Sequence, residues 1–241
     1  MTDFSLAILM TSQTVRALQL QGSVLIAYAA VQGSDRSALP LVWYRSDSYS
    51  NSNTLTWSTT WGAYASPTPI AAGSIINTGL AQAVRTGQTV NVDAGPRMTI
   101  VNGGTAGAIA FVNQTPTEFT CGIEQQAPGQ PEGSLAPICA YPLFGENSVT
   151  IFPLPQIALL FTTEPLAVGE AFPGISDSSG PAILLDMSGG SSATLHYHAN
   201  AGWSGQAGTT FRDIDGANFV SALIQVPPPP QRRTFERKEY S

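Results

Sequence analysis

The chain has 241 residues, a formal net charge of −6 and 43% hydrophobic residues. This apolar content excludes an intrinsically disordered chain, and the length suits one large β domain or two small ones. Charged residues make up only 11% of the chain, about half the usual share, so uncharged polar residues and glycine must provide most of the surface.

The N-terminal segment is apolar but short. The run FSLAILM follows Asp3 and gives way to polar residues, which is not the pattern of a secretion signal. No apolar run reaches the roughly 18 residues that a membrane-spanning helix needs. We therefore expect a cytoplasmic protein in which Cys121 and Cys139 are free, buried thiols. A disulfide that closes the Pro- and Gly-rich loop between them is the alternative.

Short apolar, β-branched runs separated by turn residues recur along the chain. In chain order they are FSLAILM, GSVLIAYAAV, ALPLVWYR, NTLTWSTTWGAYAS, QTVNVDAG, RMTIVNGG, AGAIAFVNQ, EFTCGIEQ, SVTIFPL, QIALLFTT, PAILLDMS, ATLHYHAN and ANFVSALIQV. Several alternate with period two; in SVTIFPL, for example, Val149, Ile151 and Pro153 share a face. The pattern predicts an all-β fold, an antiparallel β-sandwich that forms one domain over residues 1–226.

Two segments have apolar residues at helical spacing. SQTVRALQL, residues 12–20, begins with polar capping residues, and INTGLAQAV, residues 76–84, contains Gly79, which weakens a helix. In a chain dominated by strands we expect strand or loop at both places. The fold should then contain at most one or two short helices.

The chain ends in a basic, Pro-rich tail, residues 227–241. The final eleven residues carry four basic and two acidic side chains, a net charge of +2, so the rest of the chain carries −8. An acidic body repels polyanions, so we expect no nucleic-acid partner. The four prolines favour a stiff polyproline II extension. We expect the tail either to be solvated or to contact a second subunit in a homo-oligomer.

An aromatic cluster is the strongest candidate for a binding site. Its members, interleaved with Ser, Thr and Asn, are Trp43, Tyr44, Tyr49, Trp57, Trp61 and Tyr64. Along WSTTWGAY, Trp57 and Trp61 are predicted to share one strand face. Aromatic rings beside polar residues suit stacking on a sugar, on a flat conjugated ligand or at a lipid surface, and packing in the core is the alternative.

The stretch LHYHANAGW, residues 195–203, contains both histidines of the chain. On a strand, His196 and His198 point to one side and Tyr197 to the other, before a turn that leads to Trp203. This pair suggests metal binding, but a zinc site needs three or four ligands.

No third histidine is present to complete such a site. Asp186, one apparent hairpin away across Gly189-Gly190, is the best remaining candidate. We therefore predict no metal site and treat the two imidazoles as candidates for lining a ligand site. The chain also lacks a G-x-S-x-G elbow and a phosphate-binding Gly-rich loop, so we predict no catalytic residues.

The runs NQTPTEFTCGIEQ, PICAYPLFG and GPAILLDMS resemble those of the β-sandwich proteins of fungal fruiting bodies, which include lectins, membrane-active aegerolysins and chromoproteins. The resemblance carries over no functional residue. It implies a ligand-binding or storage role more than catalysis.

These observations together favour a non-enzymatic binding protein that holds a small hydrophobic or conjugated ligand, with a pigment as one candidate. The predicted ligand-binding residues are Trp57, Trp61, Tyr64, His196, His198 and Trp203. A cytoplasmic carbohydrate-binding lectin is the first alternative, and a membrane-active β-sandwich protein is the second.

Overall fold

A computed structural model describes residues 3–35, 37–79, 81–94, 97–131, 133–172, 174–175 and 179–227. The strands are β1 Asp3–Met10, β2 Val24–Gly33, β3 Leu39–Pro40, β4 Tyr44–Ser46, β5 Ser52–Ser58, β6 Trp61–Ser66, β7 Gln82–Val84, β8 Gln88–Val92, β9 Met98–Asn102, β10 Ile109–Asn113, β11 Phe119–Gln126, β12 Leu135–Pro137, β13 Cys139–Leu143, β14 Ser148–Thr162, β15 Ala182–Asp186, β16 Ser192–His198, β17 Gly202–Gly205, β18 Thr210–Ile214 and β19 Ile224–Gln225. The helices are α1 Ser12–Gln21 and α2 Phe219–Leu223, with a 3-10 turn at Gly216–Asn218 before α2.

The strands form three sheets. The four-stranded sheet has the order β17-β16-β1-β5, and the six-stranded sheet has the order β3-β13-β11-β6-β7 with β12 beside β11. The nine-stranded sheet runs β18-β15-β14-β10-β8-β9, and β2 joins β14 to β4 and β19. The predicted all-β, sandwich-like fold with at most two short α-helices is confirmed. Most pairs are antiparallel, but β1–β16, β8–β10 and β2–β19 are parallel.

The three sheets enclose a common core. Leu6 of the four-stranded sheet, Ile109 of the nine-stranded sheet and Cys121 of the six-stranded sheet are all fully buried and belong to one apolar cluster. Burial of this kind contributes about 25 cal/mol for each Å² of apolar surface removed from water. The alternating patterns of the strands place their apolar faces toward this core.

The prediction for residues 12–20 is wrong, because they form helix α1. Thr11 accepts a hydrogen bond from the Thr14 backbone N–H at 3.2 Å, and Gly22 ends the helix in the left-handed conformation with φ of 68°. A capped start, a glycine stop and a buried face at Val15 and Leu18 stabilise the helix in a β-rich context.

Residues 76–84 agree with the prediction, whereas the last predicted strand is partly wrong. Residues 76–84 contain no helix where the structure describes them, and only β7 lies there, as expected. ANFVSALIQV, predicted as a strand, forms α2 and then the two-residue strand β19, so its first half is a correction. Asp215 supports this helical start by accepting a hydrogen bond from the Asn218 backbone N–H at 2.8 Å.

Strand β14 is irregular at its centre. Its pairing with β2 runs from Ile151 to Pro153, shifts, and resumes at Ile157, which lies opposite Ala29. Pro153 and Pro155 have no backbone N–H to donate, so a continuous ladder cannot form through them. The resulting β-bulge interrupts the ladder with β2 at residues 154–156, while Gln156 still pairs with Asp186 of β15.

In the part of the chain that the structure describes, no helix is long and apolar enough to cross a membrane. The predicted tail is described only at Pro227, so the expectation of a polyproline extension or subunit contact lies outside the described residues.

Candidate functional site

A cavity of about 130 Å³ lies where the three sheets meet. It is lined by Phe4, Trp57, Thr59, Trp61, Gln125, residues 153–157 and Met187. The four-stranded sheet supplies Phe4 and Trp57, the six-stranded sheet supplies Trp61 and Gln125, and the bulge in β14 closes the remaining side. β-Bulges are over-represented beside active sites, because they redirect side chains out of a regular sheet.

Trp57 and Trp61 do not lie on one strand face, so that prediction is wrong. Trp57 is in β5 and Trp61 begins β6, and the two strands belong to different sheets. The chain turns a corner through Thr59 and Thr60, where the Ser58 and Thr60 hydroxyls are 3.0 Å apart. Although the strand assignment is wrong, both indoles line the same cavity.

Packing fixes the inner wall of the cavity. The rings of Phe4 and Trp57 are stacked, with centroids 5.4 Å apart and an interplanar angle of 21°. Trp43 meets Trp57 edge to face at 5.7 Å, and its indole N–H donates to the Gln125 carbonyl oxygen at 3.4 Å. Trp57 is therefore only 5% exposed, whereas Trp61 at the rim is partly exposed.

The polar side chains that line the cavity include Thr59 and two glutamines. Gln125 is buried and donates from Nε2 to the Ser58 carbonyl oxygen at 3.2 Å. Gln156 is engaged on both sides, since it donates to Asp186 Oδ2 at 3.3 Å and accepts from Gln225 Nε2 at 2.7 Å. The side-chain amide of Gln125 is therefore held in place beside the cavity.

The two histidines lie away from this cavity. His196 and His198 are exposed on the outer face of the four-stranded sheet, and Tyr197 between them is buried, as predicted for a strand. The hairpin of β16 and β17 pairs His198 with Gly202, which confirms the predicted turn.

Asp186 is not a hairpin partner of the histidines, which corrects that prediction. Strand β15 pairs with β14 and β18, while β16 pairs with β1 and β17 in another sheet. Hydrogen bonds from Ser188 lower the pKa of the Asp186 carboxyl, so it is ionised at neutral pH. Across the described ranges, no three His, Cys, Asp or Glu residues are grouped to hold a metal ion.

Tyr64 and Trp203 are core residues that do not line the cavity. Tyr64 is fully buried and donates its hydroxyl to the Cys139 carbonyl oxygen at 2.7 Å. Trp203 is stacked on Phe161, with ring centroids 5.7 Å apart, and donates its indole N–H to the Pro181 carbonyl oxygen at 2.8 Å. Of the six predicted ligand-binding residues, the structure thus brings together Trp57 and Trp61.

The buried thiols do not supply a nucleophile. Cys121 and Cys139 are free, and burial raises the pKa of both, to about 12 for Cys139. A reactive cysteine needs a thiolate near neutral pH, so these two thiols are inert. Glu124 on the same strand is also buried, which raises the pKa of its carboxyl. Its carboxylate oxygen lies beside Gly62, away from the cavity.

Sequence reasoning missed Phe4, Gln125, Met187 and the bulge. Phe4 and Met187 occupy ordinary apolar positions in the sequence, and Gln125 ends the predicted strand run EFTCGIEQ. The stretch FPLPQ, residues 152–156, is the signal that could have revealed the bulge. Two prolines inside a strand pattern mark an edge strand or a bulge.

Comparison of the chain with models of protein families, with curated proteins and with solved structures finds no match. The cavity is therefore the feature of this molecule that points to a function.

Proposed function

We propose that this chain is a non-enzymatic binding protein whose cavity between Trp57 and Trp61 takes a small, flat, apolar group of a ligand. The observation that carries the proposal is the rigid aromatic wall. Trp57 is held by the stacked ring of Phe4 and by a T-shaped contact with Trp43, while Trp61 stands partly exposed at the rim. Apolar walls with few polar groups are typical of small-molecule sites.

The residues that line the cavity can bind a ligand, but they offer no group for acid–base catalysis. The described residues that line the cavity include no His, Cys, Asp, Glu, Lys or Arg. General acid–base catalysis requires such a group within hydrogen-bond reach of the substrate. The Gln125 side-chain amide can orient a ligand by hydrogen bonding without transferring a proton. This lining supports binding over catalysis.

The volume limits what can enter. A cavity of about 150 Å³ binds benzene, while drug-sized ligands occupy roughly 300–1,000 Å³. A volume of about 130 Å³ is on the scale of a single six-membered ring. An extended pigment would therefore place one end ring inside and the rest of its conjugated system outside.

A lectin is the second candidate, and the position of Trp61 favours it. This partly exposed indole also borders an open groove lined by hydroxyl and amide side chains, among them Thr60, Thr86 and Gln88. Sugars stack on exposed indoles while their hydroxyls bond to such groups. A glycan array tests this candidate, and a Trp61-dependent signal on a defined sugar would favour it over the first.

The free, buried thiols Cys121 and Cys139 support the proposal of a cytoplasmic location, because such thiols persist in a reducing compartment.

Calorimetric titration with phenylacetamide tests the leading proposal. Trp61→Ala should weaken binding about twofold to tenfold, as expected for loss of an aromatic contact worth roughly 0.5–1.5 kcal/mol. The double variant His196→Ala/His198→Ala is the control and should bind like wild type, because both imidazoles lie outside the cavity. No binding by wild type, or equal affinity in wild type and Trp61→Ala, would contradict the proposal.

A further inference from the structure

The open groove beside the cavity shares a wall with it. The groove has a volume of about 960 Å³, and Thr59, Trp61 and Pro153 line both the groove and the cavity. A ligand that places a ring in the cavity therefore extends its remaining atoms over Trp61 into the groove. The chemistry of the groove then decides which substituent the ligand carries.

Arg85 is the charged residue in this groove. In the pairing of β6 with β7, Val84 lies opposite Trp61, and Arg85 directly follows Val84. Opposite residues of antiparallel strands have Cα atoms about 5 Å apart, so Arg85 starts close to the shared wall. The Arg85 backbone N–H donates to Gln88 Oε1 at 2.8 Å, and Gln88 Nε2 donates to Asn102 Oδ1 at 2.9 Å. These bonds hold the Arg85 main chain in place.

The Arg85 side chain is exposed and makes no ion pair with any of the described residues. Within the described residues the one salt bridge joins Arg45 to Asp47, and none of the described groove-lining residues is a carboxylate. A planar guanidinium without a partner matches the geometry of a carboxylate.

We propose that the cavity and the groove form one site for an aromatic carboxylate, with the ring between Trp57 and Trp61 and the carboxylate on Arg85. This inference rests on the proposed function, because it needs a ring in the cavity. It adds that the ligand carries a negative charge, and that the charged part lies outside the cavity in the groove.

Phenylacetate and phenylacetamide test the inference, because they have nearly the same shape and differ in charge. An exposed ion pair contributes up to about 1 kcal/mol, so wild type should bind phenylacetate roughly threefold to fivefold more tightly than phenylacetamide at low salt. Added salt should reduce this preference. In Arg85→Gln the preference should vanish or invert, since the remaining charge of the protein is negative, while phenylacetamide affinity stays unchanged.

Arg212→Gln is the matched control, because it removes the same charge from an exposed position on β18 outside the groove. It should keep most of the preference for phenylacetate. Equal affinity of wild type for the two compounds, or a preference that survives in Arg85→Gln, would overturn the inference while leaving the ring site intact. Failure of wild type to bind either compound would overturn the proposed function as well.

Discussion

Gly122 lies within β11, where neighbouring segments leave no space for a side chain. A β-carbon at this position would collide with the Cys139 carbonyl oxygen and would lie 2.6 Å from Tyr64 Oη. The carbonyl belongs to the backbone of the adjacent strand β13, so it cannot move aside as a flexible side chain could. Gly122→Ala should therefore force β11 and β13 apart locally.

The size of the effect follows from two contributions. Overpacking of a well-packed interior costs about 1–3 kcal/mol. The strain also acts on the hydrogen bond from Tyr64 Oη to the Cys139 carbonyl oxygen, 2.7 Å long, and a buried hydroxyl that loses its partner costs about 1–3 kcal/mol. We expect Gly122→Ala to lower the free energy of unfolding by roughly 2–6 kcal/mol, a large part of the usual 5–15 kcal/mol.

Urea unfolding, followed by tryptophan fluorescence and circular dichroism, measures this loss. Gly189→Ala is the matched control, because nothing lies within 4 Å of its added β-carbon and its backbone φ is not positive. The control should stay within about 0.5 kcal/mol of wild type. An unfolding free energy of Gly122→Ala equally close to wild type would refute the packing of β11 against β13 described above.

Four further outcomes are expected. Cys121 and Cys139 should resist a thiol-specific disulfide reagent at pH 8 in the native protein and react after unfolding in guanidinium. Because burial raises the pKa of Cys139 from 9.0 to about 12, the unfolded state loses its thiol proton first, and the unfolding free energy should fall as pH rises from about 9 to 12. Thr11→Ala removes the cap on the Thr14 N–H and should cost about 1 kcal/mol in thermal or urea unfolding. Asn113→Ala should cost roughly 2–4 kcal/mol by the same measurement, because the buried amide bonds three backbone carbonyl oxygens that would lose their donor.

The strand content was predictable because alternation of apolar and polar residues records which face is buried. In β16 the sequence places Leu195 and Tyr197 inside and the two histidines outside, and the structure agrees. Helix α1 was missed for a physical reason. Its cap at Thr11 and stop at Gly22 were visible in the sequence, but they were outweighed by the β character of the whole chain.

The site was only half predictable because it is assembled from three sheets. The sequence identified Trp57 and Trp61 as aromatic candidates, but it could not show that a corner at Thr59 separates them into different sheets. It also could not distinguish Trp203, whose indole N–H is already bonded inside the protein, from an indole at a cavity rim. The separation of the two strands and the bonding of the Trp203 indole both depend on contacts between residues far apart in the sequence. Local sequence patterns do not record such contacts.

Nuclear magnetic resonance of the four tryptophan indole N–H groups during titration with phenylacetamide tests the central claim most directly. The account predicts that the signals of Trp57 and Trp61 shift in a saturable manner, while the signal of Trp203, which lies in a separate aromatic cluster, stays in place. Unchanged signals of Trp57 and Trp61, or a shift that is largest at Trp203, would contradict it.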